Sequence, residues 1–97
     1  MSIRVLLADD HAVLRSGLAM LLNAQPDLDV VGEAGDGLEA VAHAQALKPD
    51  VVVMDLSMGH HSGLEAIATL RREHSEIKVL VLSMHTDASY VRMALAA

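Results

Sequence analysis

Three features of the sequence predict an α/β fold built on a parallel sheet with helices on both faces. Short aliphatic runs recur along the chain at residues 3–8, 28–31, 51–54 and 77–82. Segments with apolar residues at helical spacing alternate with them, giving the order β-α-β-α-β-α-β-α. The runs are nearly continuous rather than alternating with polar residues, as expected of strands buried on both sides.

The first run, Ile-Arg-Val-Leu-Leu-Ala at 3–8, reads as a buried strand that stops at Asp9-Asp10. Residues 11–24 follow as a helix, with Val13, Leu14, Leu18, Leu21 and Leu22 at helical spacing and Pro26 just beyond. Leu28, Val30 and Val31 suggest the second strand, and residues 32–37 a loop. Asp36 and Glu39 have the spacing of a capping box, which predicts a helix over 37–47 closed by Lys48-Pro49-Asp50. Val51-Val52-Val53-Met54 is the strongest strand signal, with Asp55 at its end. Ser62 and Glu65 form a second capping box, opening a helix through His74 with Leu64, Ile67, Ala68 and Leu70/Arg71 as its stripe. The run over 77–82 ends at Ser83. Thr86 or Asp87 can cap a last helix still running at Ala97.

Composition narrows the function. Ninety-seven residues, 53% hydrophobic and 21% charged, suit a single small globular domain. Tyr90 is the only aromatic residue, which argues against a stacking platform for single-stranded nucleic acid. A net charge of −6 repels a phosphate backbone. The absence of cysteine excludes a disulfide framework and a thiolate nucleophile, and suits a reducing cytoplasm. The apolar runs fall far short of the roughly 20 residues of a membrane span. The N-terminal residues enter a strand and do not read as a signal peptide.

Right-handed crossovers leave few topologies for this element order. In the flavodoxin-like order 2-1-3-4, ligands sit beyond the carboxyl ends of the strands, at the switch point between strands one and three. Asp9-Asp10 end strand one, Asp55 ends strand three and Ser83 ends strand four. Each feature alone is ordinary turn or capping chemistry; their combination is not. Three clustered carboxylates repel one another, and a hard divalent cation such as Mg²⁺ relieves the repulsion. A carboxylate beside the metal can attack phosphorus without a general base, with the metal and a hydroxyl neutralising the equatorial oxygens.

The segments Ile3-Arg4-Val5-Leu6-Leu7-Ala8-Asp9-Asp10-His11, Pro49-Asp50-Val51-Val52-Val53-Met54-Asp55-Leu56-Ser57-Met58 and Ser62-Gly63-Leu64-Glu65-Ala66 resemble the receiver domain of two-component response regulators. Val30-Val31-Gly32-Glu33-Ala34-Gly35-Asp36-Gly37 is similar to the second strand and loop of that family. Val79-Leu80-Val81-Leu82-Ser83-Met84-His85 is similar to its NarL/FixJ-type subfamily, whose members usually carry a C-terminal LuxR-type helix-turn-helix domain. The resemblance covers essentially the whole chain. It implies that Asp55 accepts phosphate from a sensor histidine kinase, and that Asp9, Asp10, Asp55 and the backbone carbonyl of Ser57 hold Mg²⁺. It implies that Ser83 bonds the phosphoryl group and moves toward it as a switch.

Two departures stand out. Where the subfamily usually reads Met-Pro-Gly-Met-Ser-Gly, this chain has Met58-Gly59-His60-His61-Ser62-Gly63. The adjacent histidines read as solvated loop, as do His11 and His85. The family's fifth strand, its lysine and its fifth helix, about 20–25 residues, have no counterpart in residues 1–97. That makes strand four an apolar edge and invites a homodimer or a domain-swapped oligomer. The expectation is a C-terminally incomplete receiver over 1–97, from a parent protein with a DNA-binding output domain. Tyr90 lies before the family's aromatic switch position and does not take that role. A haloacid dehalogenase-type phosphatase needs an Asp where Ser57 stands. A P-loop needs a motif the chain lacks, and Gly32, Gly35 and Gly37 have the wrong spacing for a dinucleotide fold. The remaining alternative is a receiver fold used as a phosphorylation-independent interaction module.

Overall fold

Strand periodicity explains how the core divides in two. In β1 (Ile3–Ala8) and β3 (Val51–Asp55), successive side chains point to opposite faces of the sheet. Leu6, Ala8, Val52 and Met54 therefore enter one core, with Ala40 and Ala44 of α2 (Gly37–Leu47) and Ala66, Ile67 and Leu70 of α3 (Gly63–Glu73). Val5, Leu7 and Val53 enter the other, with Ala19 of α1 (Ala12–Asn23). The computed structural model describes residues 2–55 and 63–82. Their sheet is parallel in the order β2-β1-β3-β4, with β2 at Leu28–Ala34 and β4 at Lys78–Leu82. The predicted doubly wound architecture is thus observed. The segment expected to form a last helix, with Ser83, His85 and Tyr90, lies outside the described residues.

Register brings the strand ends together. Val5 pairs with Val51, and Ala8 with Met54, so the next residue on each strand is an aspartate: Asp9 beside Asp55. At the opposite end, Arg4 and Asp50 lock the same pair: the Arg4 amide donates to Asp50 Oδ2 at 2.8 Å and the Asp50 amide to the Arg4 carbonyl at 2.9 Å.

Three local expectations need correction. The second strand does not stop at Val31 but runs to Ala34, because Gly32, Glu33 and Ala34 pair with Leu6, Leu7 and Ala8 after a register shift between Val5 and Leu6. Glycine suits position 32 because a Cβ there would stand 2.7 Å from Leu47 Cδ1. The stripe expected on α1 is mostly outside: Val13 is 89% and Leu21 67% exposed, while Leu18, Ala19 and Leu22 reach the sheet. The outer residues line an open groove of about 620 Å³ along the helix. On α3, Ala66 rather than Ala68 joins Ile67 and Leu70 in the core. Helical spacing marks a candidate face; the crossing geometry selects the residues that meet the sheet.

The capping at Asp36 is as expected. Its side chain accepts from the Glu39 amide at 2.7 Å, satisfying one of the free donors of the first turn of α2. The same helix ends at Lys48 in the left-handed region, φ 49°, before Pro49.

Candidate phosphoacceptor and metal site

The pocket is built from the ends of β1 and β3. Asp9 and Asp55 are 2% and 3% exposed, although carboxylates rarely bury without partners. Asp10 and His11, next along the chain, are exposed. One ligand atom from each of Asp9, Asp10, His11 and Asp55 lies within 4.8 Å of the other three. Three of the four metal-ligating residues anticipated from the sequence thus converge. The fourth, Ser57, and the switch hydroxyl of Ser83 lie outside the described residues, as do His60 and His61.

Backbone bonds hold the acidic turn rigid. The Asp9 amide donates to the Ala34 carbonyl at 3.0 Å, extending the β1–β2 ladder by one residue. Asp9 Oδ1 accepts from the His11 amide at 2.8 Å, so Asp9 shapes the turn into α1, while the N-cap of that helix is His11 itself.

Two residues of this site escaped the sequence reading. His11 is not plain solvated surface. Its Nδ1 stands 2.9 Å from Asp9 Oδ1, 2.9 Å from Asp10 Oδ1 and 3.9 Å from Asp55 Oδ2. Ionised carboxylates only accept, so Nδ1 carries the hydrogen. The bond to Asp9, and then the charge of Asp10, hold the imidazole above its ordinary value. The one available signal was its position directly after the acidic pair.

Arg15 is the second. From one helical turn into α1, its Nη1 donates to the Asp9 carbonyl at 2.6 Å and to the Ala34 carbonyl at 3.3 Å, and its Nε to Glu33 Oε1 at 3.1 Å. One guanidinium thus ties together the ends of β1 and β2 and the start of α1. Its spacing from Asp9 carried no recognisable motif.

Carboxylates, two of them buried, with oxygens and an imidazole nitrogen converging on one point form a donor set that fits a divalent cation. Such a pocket stands at the switch point of a parallel sheet of order 2-1-3-4, where α/β sheets of this class bind their ligands. The chain belongs to the response regulator receiver domain family, whose model matches residues 5–97. It is 52% identical over 85 residues to the transcriptional regulatory protein LiaR of Bacillus subtilis (strain 168), covering 88% of this chain and 40% of that protein. It is 42% identical over 97 residues to the response regulator protein VraR of Staphylococcus aureus (strain NCTC 8325 / PS 47), covering 100% of this chain and 46% of that protein. The chain therefore spans less than half of each relative. Among solved structures, it superposes on a two-component response regulator of the LuxR family from Aurantimonas sp. SI85-9A1 with a TM-score of 0.94. That match has 32% identity and covers 99% of this chain and 69% of the other. The chain is thus a receiver domain of the two-component response regulators. No described helix is long and apolar enough to cross a membrane.

Proposed function

We propose that this receiver accepts a phosphoryl group on Asp55 from a sensor histidine kinase. Asp9, Asp10, Asp55 and the Ser57 carbonyl would hold Mg²⁺. The observation that carries the reading is the burial of Asp55 beside Asp9, with Asp10 at the rim, where the register aligns β1 with β3. When bound, the metal supplies positive charge to the oxygens of the transferring group. Asp55 supplies the nucleophile: one carboxylate oxygen forms the O–P bond as the N–P bond of a phosphohistidine breaks, and the histidine leaves with the electron pair. Asp9, pinned through its carbonyl and amide, keeps its carboxylate toward the pocket without movement during the step. The Ser83 hydroxyl would then bond the new phosphoryl group, shifting the segment that follows.

The domain would be a regulatory phosphoacceptor; apart from the transfer from the kinase, its chemistry would be limited to self-phosphorylation from small phosphodonors and slow autodephosphorylation. The output would be a change in association, as a homodimer or domain-swapped oligomer. It would also act on DNA through a C-terminal helix-turn-helix domain of the parent protein, in the cytoplasm. The phosphorylation-independent interaction module is not favoured, because such a module has no use for two buried carboxylates aimed into one pocket.

The test is a titration with beryllofluoride, or with acetyl phosphate, in Mg²⁺. Saturable binding that Asp55→Asn abolishes is expected. A response that survives Asp55→Asn, or no response from the unmodified chain, would refute the proposal.

A further inference from the structure

The magnesium reading leaves the His11 imidazole without a part, although its Nδ1 stands among the carboxylate oxygens. In an octahedral site with bonds of about 2.1 Å, neighbouring donor atoms are about 3.0 Å apart and opposite ones about 4.2 Å apart. Nδ1 lies 2.9 Å from Asp9 Oδ1, 2.9 Å from Asp10 Oδ1 and 3.9 Å from Asp55 Oδ2. The first two have the length of an edge and the third approaches a diagonal, while the four donor atoms together lie within 4.8 Å, so the set would close slightly around an ion. The bond between Nδ1 and Asp9 Oδ1 keeps the ring there. Residue 11 is extended, φ −95° and ψ 95°, its amide is bonded to Asp9, and its side chain makes no capping bond to α1.

A nitrogen donor changes which metals a site rewards. Oxygen donors suit hard cations such as Mg²⁺, whereas imidazole favours Co²⁺, Ni²⁺ and Zn²⁺. Resting on the reading of the pocket as a cation site, we propose that His11 Nδ1 is a further protein ligand. It gives the receiver a selectivity for nitrogen-preferring divalent transition metals beyond that of its carboxylates alone. On binding, the Nδ1 proton leaves to solvent and the ring lone pair takes its place facing the metal.

The experiment titrates the chain with Mg²⁺ and with Co²⁺ at one fixed, mildly alkaline pH by calorimetry. Co²⁺ is also followed by its visible absorption, and displacement by Mg²⁺ identifies the Co²⁺ bound in this pocket rather than at other histidines. His11→Ala and Asp10→Asn are compared, with circular dichroism confirming that each is folded. His11→Ala is expected to weaken competable Co²⁺ binding by about tenfold or more, far beyond any loss for Mg²⁺, and to shift the Co²⁺ band. Equal losses for both metals, or an unchanged band, would overturn the ligand role while leaving the pocket a magnesium site. Absence of Mg²⁺ binding to the unmodified chain, or full binding of both metals by Asp10→Asn, would overturn the cation-site reading and the proposal together.

Discussion

Arg15→Ala probes whether the acidic pocket is held in place from α1. The Arg15 side chain is 21% exposed, and its guanidinium donates to two main-chain carbonyls and to the Glu33 carboxylate. The bond to the Asp9 carbonyl, at 2.6 Å, is charge-assisted and contributes about 1.5–3 kcal/mol. The longer bond to Ala34 adds little, since that carbonyl also accepts from the Asp9 amide. The pair with Glu33, itself 39% exposed, contributes about 0–1 kcal/mol. A loss near 2–3 kcal/mol follows. With an m-value of about 1 kcal/mol/M, the urea midpoint should fall by about 2–3 M. Far-UV circular dichroism is the assay, since the chain has no Trp. Arg15→Lys should recover less than half of the loss, because an ammonium cannot fork between strand ends. Glu33→Ala isolates the exposed pair. If Asp9 needs this anchor, Mg²⁺ affinity also falls by about tenfold. A loss under about 0.5 kcal/mol with unchanged Mg²⁺ affinity would show Arg15 to be an ordinary surface residue.

Two further outcomes test other parts of the structure. Asp36→Ala removes the acceptor for the Glu39 amide and should cost about 1 kcal/mol in urea unfolding without altering Mg²⁺ binding, since α2 begins outside the pocket. The His11 imidazole is held above its ordinary value by Asp9 and Asp10, so its contribution in metal-free buffer is complete below about pH 6.5 and is lost as pH rises through the raised folded value. The difference in thermal midpoint between the chain and His11→Ala should therefore be largest at the acid end and shrink toward alkaline pH; a difference that grows with pH would contradict the assignment.

Much of the fold was legible because its signals are local. Aliphatic runs, a capping aspartate three residues before Glu39 and prolines after helices act over a few neighbouring residues, and the element order then limits the topology. The aspartates at 9, 10 and 55 were legible for the same reason: each stands where a strand signal stops. The α1 stripe was misread because helical spacing cannot say how much sheet a helix will meet, and Val13 and Leu21 meet none.

By itself, then, the sequence determined which of the described segments are strands and helices, their order, and the acidic strand ends. Tertiary structure decided the register that sets Asp9 beside Asp55, the extension of β2 to Ala34, the turn of the His11 ring into the pocket and the reach of Arg15 across two strand ends. The strand register, the longer β2 and the bridge from Arg15 to Ala34 join residues 19 to 46 positions apart, whereas His11 meets Asp9 and Asp10 within two positions and reaches Asp55 only across the sheet. Local preference acts along the chain, whereas register and side-chain partners are set by packing between segments that the chain brings together only on folding.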